Sequence, residues 1–129
     1  MGILAAHPDQ ALPARSIADR LCAAEGTVAK ALQRLVKSGL LRSVRGPRGG
    51  FLLAHPPEKI TLLAIYEAVE GPYSPSDCLL PAPLCAGDDC VLGTLLKDVN
   101  HLLFERFRDT TLDKIGEIFE ADRFRIDPR

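Results

Sequence analysis

Between positions 26 and 57 the chain has no aspartate or glutamate, although the full 129 residues carry 17 of them. The gap holds Lys30, Arg34, Lys37, Arg42, Arg45 and Arg48. A net charge of −1 therefore hides a polarised molecule: residues 1–60 hold nine Lys/Arg against four Asp/Glu, and residues 61–129 hold seven against thirteen. A basic stripe without acids is what a polyanion partner selects, because each cation that meets a phosphate releases condensed counterions. A merely solvated face is the plain alternative. Other absences narrow the class. No apolar run approaches the ~20 residues that span a bilayer, and no basic stretch leads into an apolar one at the N-terminus. Both point to the cytoplasm, where the four cysteines suit thiol chemistry or metal ligation better than disulfides. There is no ordered Ser/His/Asp set and no paired carboxylates in a plausible cleft, so nothing suggests an enzyme.

The acid-free stretch carries the punctuation of two short helices. Residues 14–21 read as a helix with Ile17, Ala18 and Leu21 on one side, and residues 22–25 as a tight connection. Residues 26–38 place Val28, Ala31, Leu32, Leu35 and Val36 at amphipathic helix spacing. Thr27, Lys30, Arg34 and Lys37 lie opposite, with Gln33 beside them, and Gly39 stops the helix. That is the pattern of a helix-turn-helix whose second helix enters the major groove. Strand-like residues 40–45 and 51–54 flank Gly46-Pro47-Arg48-Gly49-Gly50, which permits a tight hairpin with arginines at its shoulder and tip. Such a wing reaches phosphates or the minor groove. A nucleotide-cradling loop is excluded, for the segment lacks a Gly-Lys-Ser/Thr ending and opens into a strand.

Pro56 and Pro57 form a joint, Thr61 can cap a helix reaching Glu70, and Gly71-Pro72 ends it. Residues 72–87 are a long Pro/Ser/Gly-rich loop, a kind usually functional or disordered. Asp88 or Asp89 is the expected start of a helix of roughly twenty residues, ~30 Å long, with Leu92, Leu95, Leu96, Val99, Leu102, Leu103 and Phe107 on one stripe. That stripe exceeds what one small domain covers, so a second copy is expected. Thr110 with Asp113 suggests a last cap, followed by Leu112, Ile115, Ile118 and Phe119, then a frayed polar tail. Cys78, Cys85 and Cys90 are spaced C-x6-C-x4-C ahead of a helix. Three thiols there can converge on one inorganic centre, since thiolates suit iron–sulfur clusters, zinc and copper(I), and the positive helix end would lower their pKa. The spacing matches neither C-x2-C zinc knuckles nor the ferredoxin run, and three incidental cysteines is the alternative. Cys22 reads as a small buried residue, and His101 as structural or exposed.

The block from Ser16 through Leu32-Gln33-Arg34-Leu35-Val36-Lys37-Ser38-Gly39 to Arg45-Gly46-Pro47-Arg48-Gly49-Gly50-Phe51-Leu52-Leu53-Ala54 resembles the winged-helix domain of the Rrf2 family, the group of IscR, NsrR and CymR. The helix up to Gly71, the cysteine triplet and the closing Thr111-Leu112 helix continue the likeness over nearly the whole chain. The resemblance implies a mainly α (α+β) winged helix-turn-helix with a two-stranded wing and a long C-terminal dimerisation helix. It implies a homodimeric regulator, usually a repressor, on double-stranded palindromic operators. Cysteine-bearing members hold a [2Fe–2S] or [4Fe–4S] cluster that senses iron–sulfur, redox or nitric oxide status; cysteine-free members sense other signals. The expected organisation is a DNA-binding domain at 1–58 and, at 59–129, a linking helix, a cysteine loop (72–90) and dimerisation helices. Ser16, Thr27, Lys30, Gln33, Arg34, Lys37, Arg42, Arg45, Gly46 and Arg48 are the expected DNA-facing residues, and Cys78, Cys85 and Cys90 the expected ligands.

Three departures accompany the likeness. Gly2-Ile3-Leu4-Ala5-Ala6 matches only the end of a first helix that is about fifteen residues longer in family members, which implies either a misassigned start or impaired DNA binding and leaves no position for the acidic fourth ligand of the NsrR branch. The IscR branch has a histidine ligand three residues after the last cysteine, where Gly93 stands here. Ala24 occupies the N-cap of the recognition helix, where Ser or Thr is expected. The competing expectation is a cluster-free thiol-redox or zinc-binding regulator or interaction protein.

Overall fold

A computed structural model describes residues 1–76, 78–81, 84–85, 90 and 92–120. Among them the order is α1 (Gly2–Ala5), α2 (Ala14–Arg20), α3 (Glu25–Lys37), β1 (Leu41–Val44), β2 (Gly50–Leu53), a 3-10 turn at Pro57–Lys59, α4 (Leu62–Glu70), α5 (Gly93–Asp109) and α6 (Leu112–Glu120). The expected tail lies outside the described residues. This is the expected winged helix-turn-helix with a long helix behind it.

Both helices of the motif end in the same way. After α3, the Gly39 amide donates to the Val36 carbonyl and Leu40 to Leu35, both at 3.0 Å, with Gly39 at φ +79°. That is a Schellman closure, in which the left-handed residue turns two orphan carbonyls inward. After α2, Cys22 donates to Asp19 and Ala23 to Ala18, with Cys22 itself at φ +49°. Cys22 is exposed, where its residue type suggests a small buried side chain. α3 starts one residue earlier than expected, at Glu25, and Ala24 offers no side-chain cap.

The wing is antiparallel, pairing Leu41 with Leu53 and Val44 with Gly50. A turn closes it, the Gly49 amide donating to the Gly46 carbonyl at 2.9 Å with Pro47 at the second position. Gly50, at φ +150°, is required: a Cβ there would sit 2.4 Å from the Leu12 carbonyl oxygen. That closeness serves a bridge the sequence does not announce, Leu12 and Phe51 exchanging both backbone hydrogen bonds at 2.9 Å.

One core joins the parts. Ile3, Leu4, Leu12, Ile17, Leu32, Leu35, Leu41, Phe51, Leu53, Ile60 and Leu112 are buried together, so the C-terminal helix returns to the N-terminal one. α1 and α6 approach so closely that a Cβ on Gly116 would lie 3.0 Å from that of Ala5. The Leu62 amide donates to the Thr110 carbonyl and Leu112 to Ile60, at 2.9 and 2.8 Å. Thr110 closes α5, and α6 begins two residues on, at Leu112. Thr61, by contrast, caps α4 as expected, its hydroxyl accepting from the Ala64 amide at 3.1 Å.

Candidate nucleic-acid interface and thiol cavity

α3 offers a polar face because its apolar side is committed to the core through Leu32 and Leu35. Thr27, Lys30, Gln33 and Lys37 are all exposed on it, and Arg42, Arg45, Gly46 and Arg48 are exposed on the wing, while Ser16 on α2 is half-buried. Among the described residues the ion pairs are those of Arg108 with Glu105 and Asp109. The cations of α3 and the wing are thus uncompensated by acids, as the gap in acidic residues predicts. Such cations retain their counterions until a phosphate displaces them. Lys30 and Gln33 have the donors and acceptors to address base edges, whereas wing arginines suit phosphates. Arg34 departs from this group. Its guanidinium donates to the Val69 carbonyl at the end of α4, at 2.9 Å.

The long helix begins at Gly93, with Leu92 at its N-cap and no side-chain cap. The expected start at Asp88 or Asp89 is corrected because Cys90 and Leu92 are non-helical; the two acids themselves lie outside the described residues. The Gly93 amide donates to the Cys90 carbonyl at 3.1 Å, so Cys90 still sits at the positive helix end. α5 divides its apolar residues between two faces. Phe104 and Phe107 turn to α4 and its exit, with ring centroids 5.5 Å from Tyr73 and 5.7 Å from Tyr66. Leu95, Val99 and Leu102 remain 56, 51 and 60% exposed. With Leu92 they are spaced three, four and three residues apart, the alternation of a two-helix seam. Phe107, expected on the leucine stripe, thus belongs to the other face.

Cys78, Cys85 and Cys90 line one cavity of about 200 Å³, walled by Leu79, Leu80, Leu84, Leu92 and Leu96. Cys85 is exposed, and Cys78 and Cys90 are half-buried. The Leu80 amide donates to Cys78 Sγ at 3.4 Å. Yet among the described residues no three His, Cys, Asp or Glu side chains converge closely enough to hold a metal ion. A Cβ added to Gly93 would lie 3.3 Å from Cys90 Cβ and 3.8 Å from its Sγ. Position 93 therefore points at the thiol, and glycine leaves that direction empty.

Ser76, Asn100 and Tyr73 anchor the loop. The Ser76 hydroxyl donates to the Cys78 carbonyl at 2.6 Å and accepts from its amide at 3.2 Å. Asn100 on α5 donates to the Ser76 carbonyl at 3.0 Å, and the Tyr73 hydroxyl donates to the Asn100 carbonyl at 3.2 Å. A serine two residues before a cysteine was a legible turn signal; the Asn100 link, 24 residues away, was not. His101 is exposed, lining a shallow recess with Tyr73, Lys97 and Phe104.

Comparison with known proteins places the chain. A family profile described as Rrf2, iron-dependent transcriptional regulator, matches residues 1–117. A protein of Rhodopseudomonas palustris named as the HTH-type regulator BadM is 32% identical over 124 residues, covering 93% of this chain and 76% of the relative. IscR of Pectobacterium atrosepticum is 30% identical, covering 92% and 74%. Among solved structures, CymR, the global cysteine regulator of B. subtilis, superposes with a TM-score of 0.73 at 26% identity, covering 88% of this chain and 84% of that one. IscR of T. potens shares the fold at a TM-score of 0.68 and 23% identity, covering 97% and 87%. No described helix is long and apolar enough to cross a membrane. A family profile over nine-tenths of the sequence and a shared winged fold agree with the exposed basic face: the chain belongs to the Rrf2 family of DNA-binding transcriptional regulators, which are not enzymes.

Proposed function

We propose that the protein is a homodimeric, cytoplasmic transcriptional regulator, a repressor of palindromic operators, whose affinity for DNA follows the state of the cavity formed by Cys78, Cys85 and Cys90. The observation that carries this reading is that three cysteines spread over thirteen residues line one apolar cavity at the start of α5. Thr27, Lys30 and Gln33 act on base edges, with Lys37, Arg42, Arg45, Gly46 and Arg48 on the phosphate backbone and Ser16 supporting from α2. Residues 1–58 serve DNA binding, and residues 59–129 serve sensing and pairing. The bare seam of α5 pairs with its copy, which sets the spacing of two recognition helices about one DNA turn apart.

An iron–sulfur cluster is the group three cysteine thiolates would serve, once the thiols close up from their separation in this structure. Cys78, Cys85 and Cys90 would hold it, and it would supply sensitivity to oxygen, nitric oxide or iron supply. The empty direction at Gly93 leaves a ligand position for a small molecule or another group, which makes such a cluster labile. A second reading, a thiol-redox regulator without a cluster, is favoured by the separation of the thiols in this structure and by the likeness to CymR. Anaerobic purification with a visible spectrum and an iron and sulfide assay separates the two. Operator binding is then measured against random duplex at several salt concentrations. A colourless protein with unaltered affinity after thiol oxidation would refute both forms of sensing, and failure to bind any duplex at low salt would refute the regulator.

A further inference from the structure

Arg34 lies on the recognition helix yet faces the end of α4, and the backbone there explains why. In a continuing helix the Val69 carbonyl would accept from the amide four residues on, that of Tyr73. The chain instead leaves α4 at Gly71, φ +92°, and passes through Pro72, which has no amide hydrogen. The Tyr73 amide is diverted to the carboxylate of Glu67, at 3.1 Å. Val69 is left with an orphan carbonyl, and the Arg34 guanidinium fills it at 2.9 Å. A cation at the negative end of a helix is also favoured by the helix dipole. The bond thus exists because the loop exits α4 as it does.

The same exit is tied to the thiol cavity. The Tyr73 ring packs against Tyr66 and Phe104, with centroids 5.7 and 5.5 Å away. Its hydroxyl and the Ser76 carbonyl both bind Asn100 of α5, and Ser76 brackets Cys78 through hydroxyl bonds on both sides. Nearly every step from the Cys78 sulfur to the Arg34 guanidinium is a hydrogen bond or a ring contact. We propose that Arg34 is a positioning residue that ties the tilt of the recognition helix to the state of the cysteine loop, and is not one of the phosphate contacts. This rests on the sensing function proposed above. A shift of Cys78, on ligating or forming a disulfide, moves Ser76 and Tyr73. That changes the Glu67–Tyr73 bond and so the carbonyl that holds Arg34.

The test measures operator affinity for full-length protein in three preparations: reconstituted with ferrous iron and sulfide, metal-free and reduced, and disulfide-oxidised. The largest ratio between any two is the sensing range, for which couplings of about 5–150-fold are typical. Arg34→Leu should bring that ratio to within about twofold of unity, leaving unchanged the slope of log affinity against log salt; a lost phosphate contact would lower that slope by about one. Arg34→Lys, which keeps a donor for Val69, should restore part of the range. Glu67→Leu should collapse the ratio too, although an acidic side chain has no part in binding phosphate. A wild-type range retained in Arg34→Leu and Glu67→Leu, or a reduced salt slope with the range intact, overturns the proposal while leaving sensing in place. A wild-type ratio of one in every pairing overturns sensing and the coupling together.

Discussion

The seam of α5 offers the sharpest test of pairing. Leu102 is 60% exposed in the single chain, and the seam needs it covered. Leu102→Ala removes three carbons, worth about 0.8 kcal/mol each on full burial. Scaled by the 60% that pairing would newly cover, the loss is about 1.4 kcal/mol per chain and ~3 kcal/mol per dimer. At 1.4 kcal/mol for each tenfold, the dimer dissociation constant should rise about 100-fold. Sedimentation equilibrium over a concentration series reads this directly, and circular dichroism checks that the helices persist. Lys97→Ala, exposed on α5 away from the seam, serves as the control and should leave the constant unaltered. Operator binding by Leu102→Ala should become steeply concentration-dependent, since each half-site must then be found separately. A dissociation constant within about threefold of wild type would refute the reasoning, because the substitution would then have uncovered nothing that pairing hides.

Three further outcomes are expected. Arg45→Ala and Arg48→Ala should weaken binding alike on operator and random duplex and lower the salt slope by about one each, whereas Gln33→Ala should alter base preference in a selection from random sequences. Gly93→His should slow the air bleaching of any cluster followed at visible wavelengths; the new Cβ, 3.3 Å from that of Cys90, obliges Cys90 to yield by a few tenths of an ångström. The Asp113 carboxyl is held below its ordinary value of 3.8 chiefly by the Thr111 hydroxyl, against an opposing effect of desolvation, seen in an Oδ1 atom enclosed without a partner. A depressed folded-state pKa stabilises the protein above the ordinary value and is lost as pH falls through the lowered one. Thr111→Val should therefore raise the Asp113 pKa in an NMR titration and weaken the protein at neutral pH more than in strong acid.

Much of the DNA-binding half was legible because its signals are local. An amphipathic period over thirteen residues, glycines after α3 and in the wing turn and a threonine before α4 act through neighbours three or four positions away. The absence of acids from 26–57 is equally a property of the chain alone, and it sets the sign of the surface that α3 and the wing expose. The cysteine spacing made a shared site an expectation; the three residues line one cavity, but among the described residues no three ligand side chains converge on a metal position.

Tertiary structure decided what depends on distant partners. Which face of α5 is covered follows from where Tyr66 and Tyr73 stand, so Phe107 turned inward and the leucines remained bare. Arg34 has the same polar, exposed setting as Lys30 and Lys37, and only the packing of α3 on α4 gives it a carbonyl to bind. Cys22 looked like a core residue by type, but it closes α2 in the left-handed conformation and its side chain is exposed. Sequence periodicity determines the elements and their apolar sides; contacts between residues dozens of positions apart arise only when loops close, and in this protein they decide which cations remain free of protein partners among the described residues and which face of α5 stays exposed.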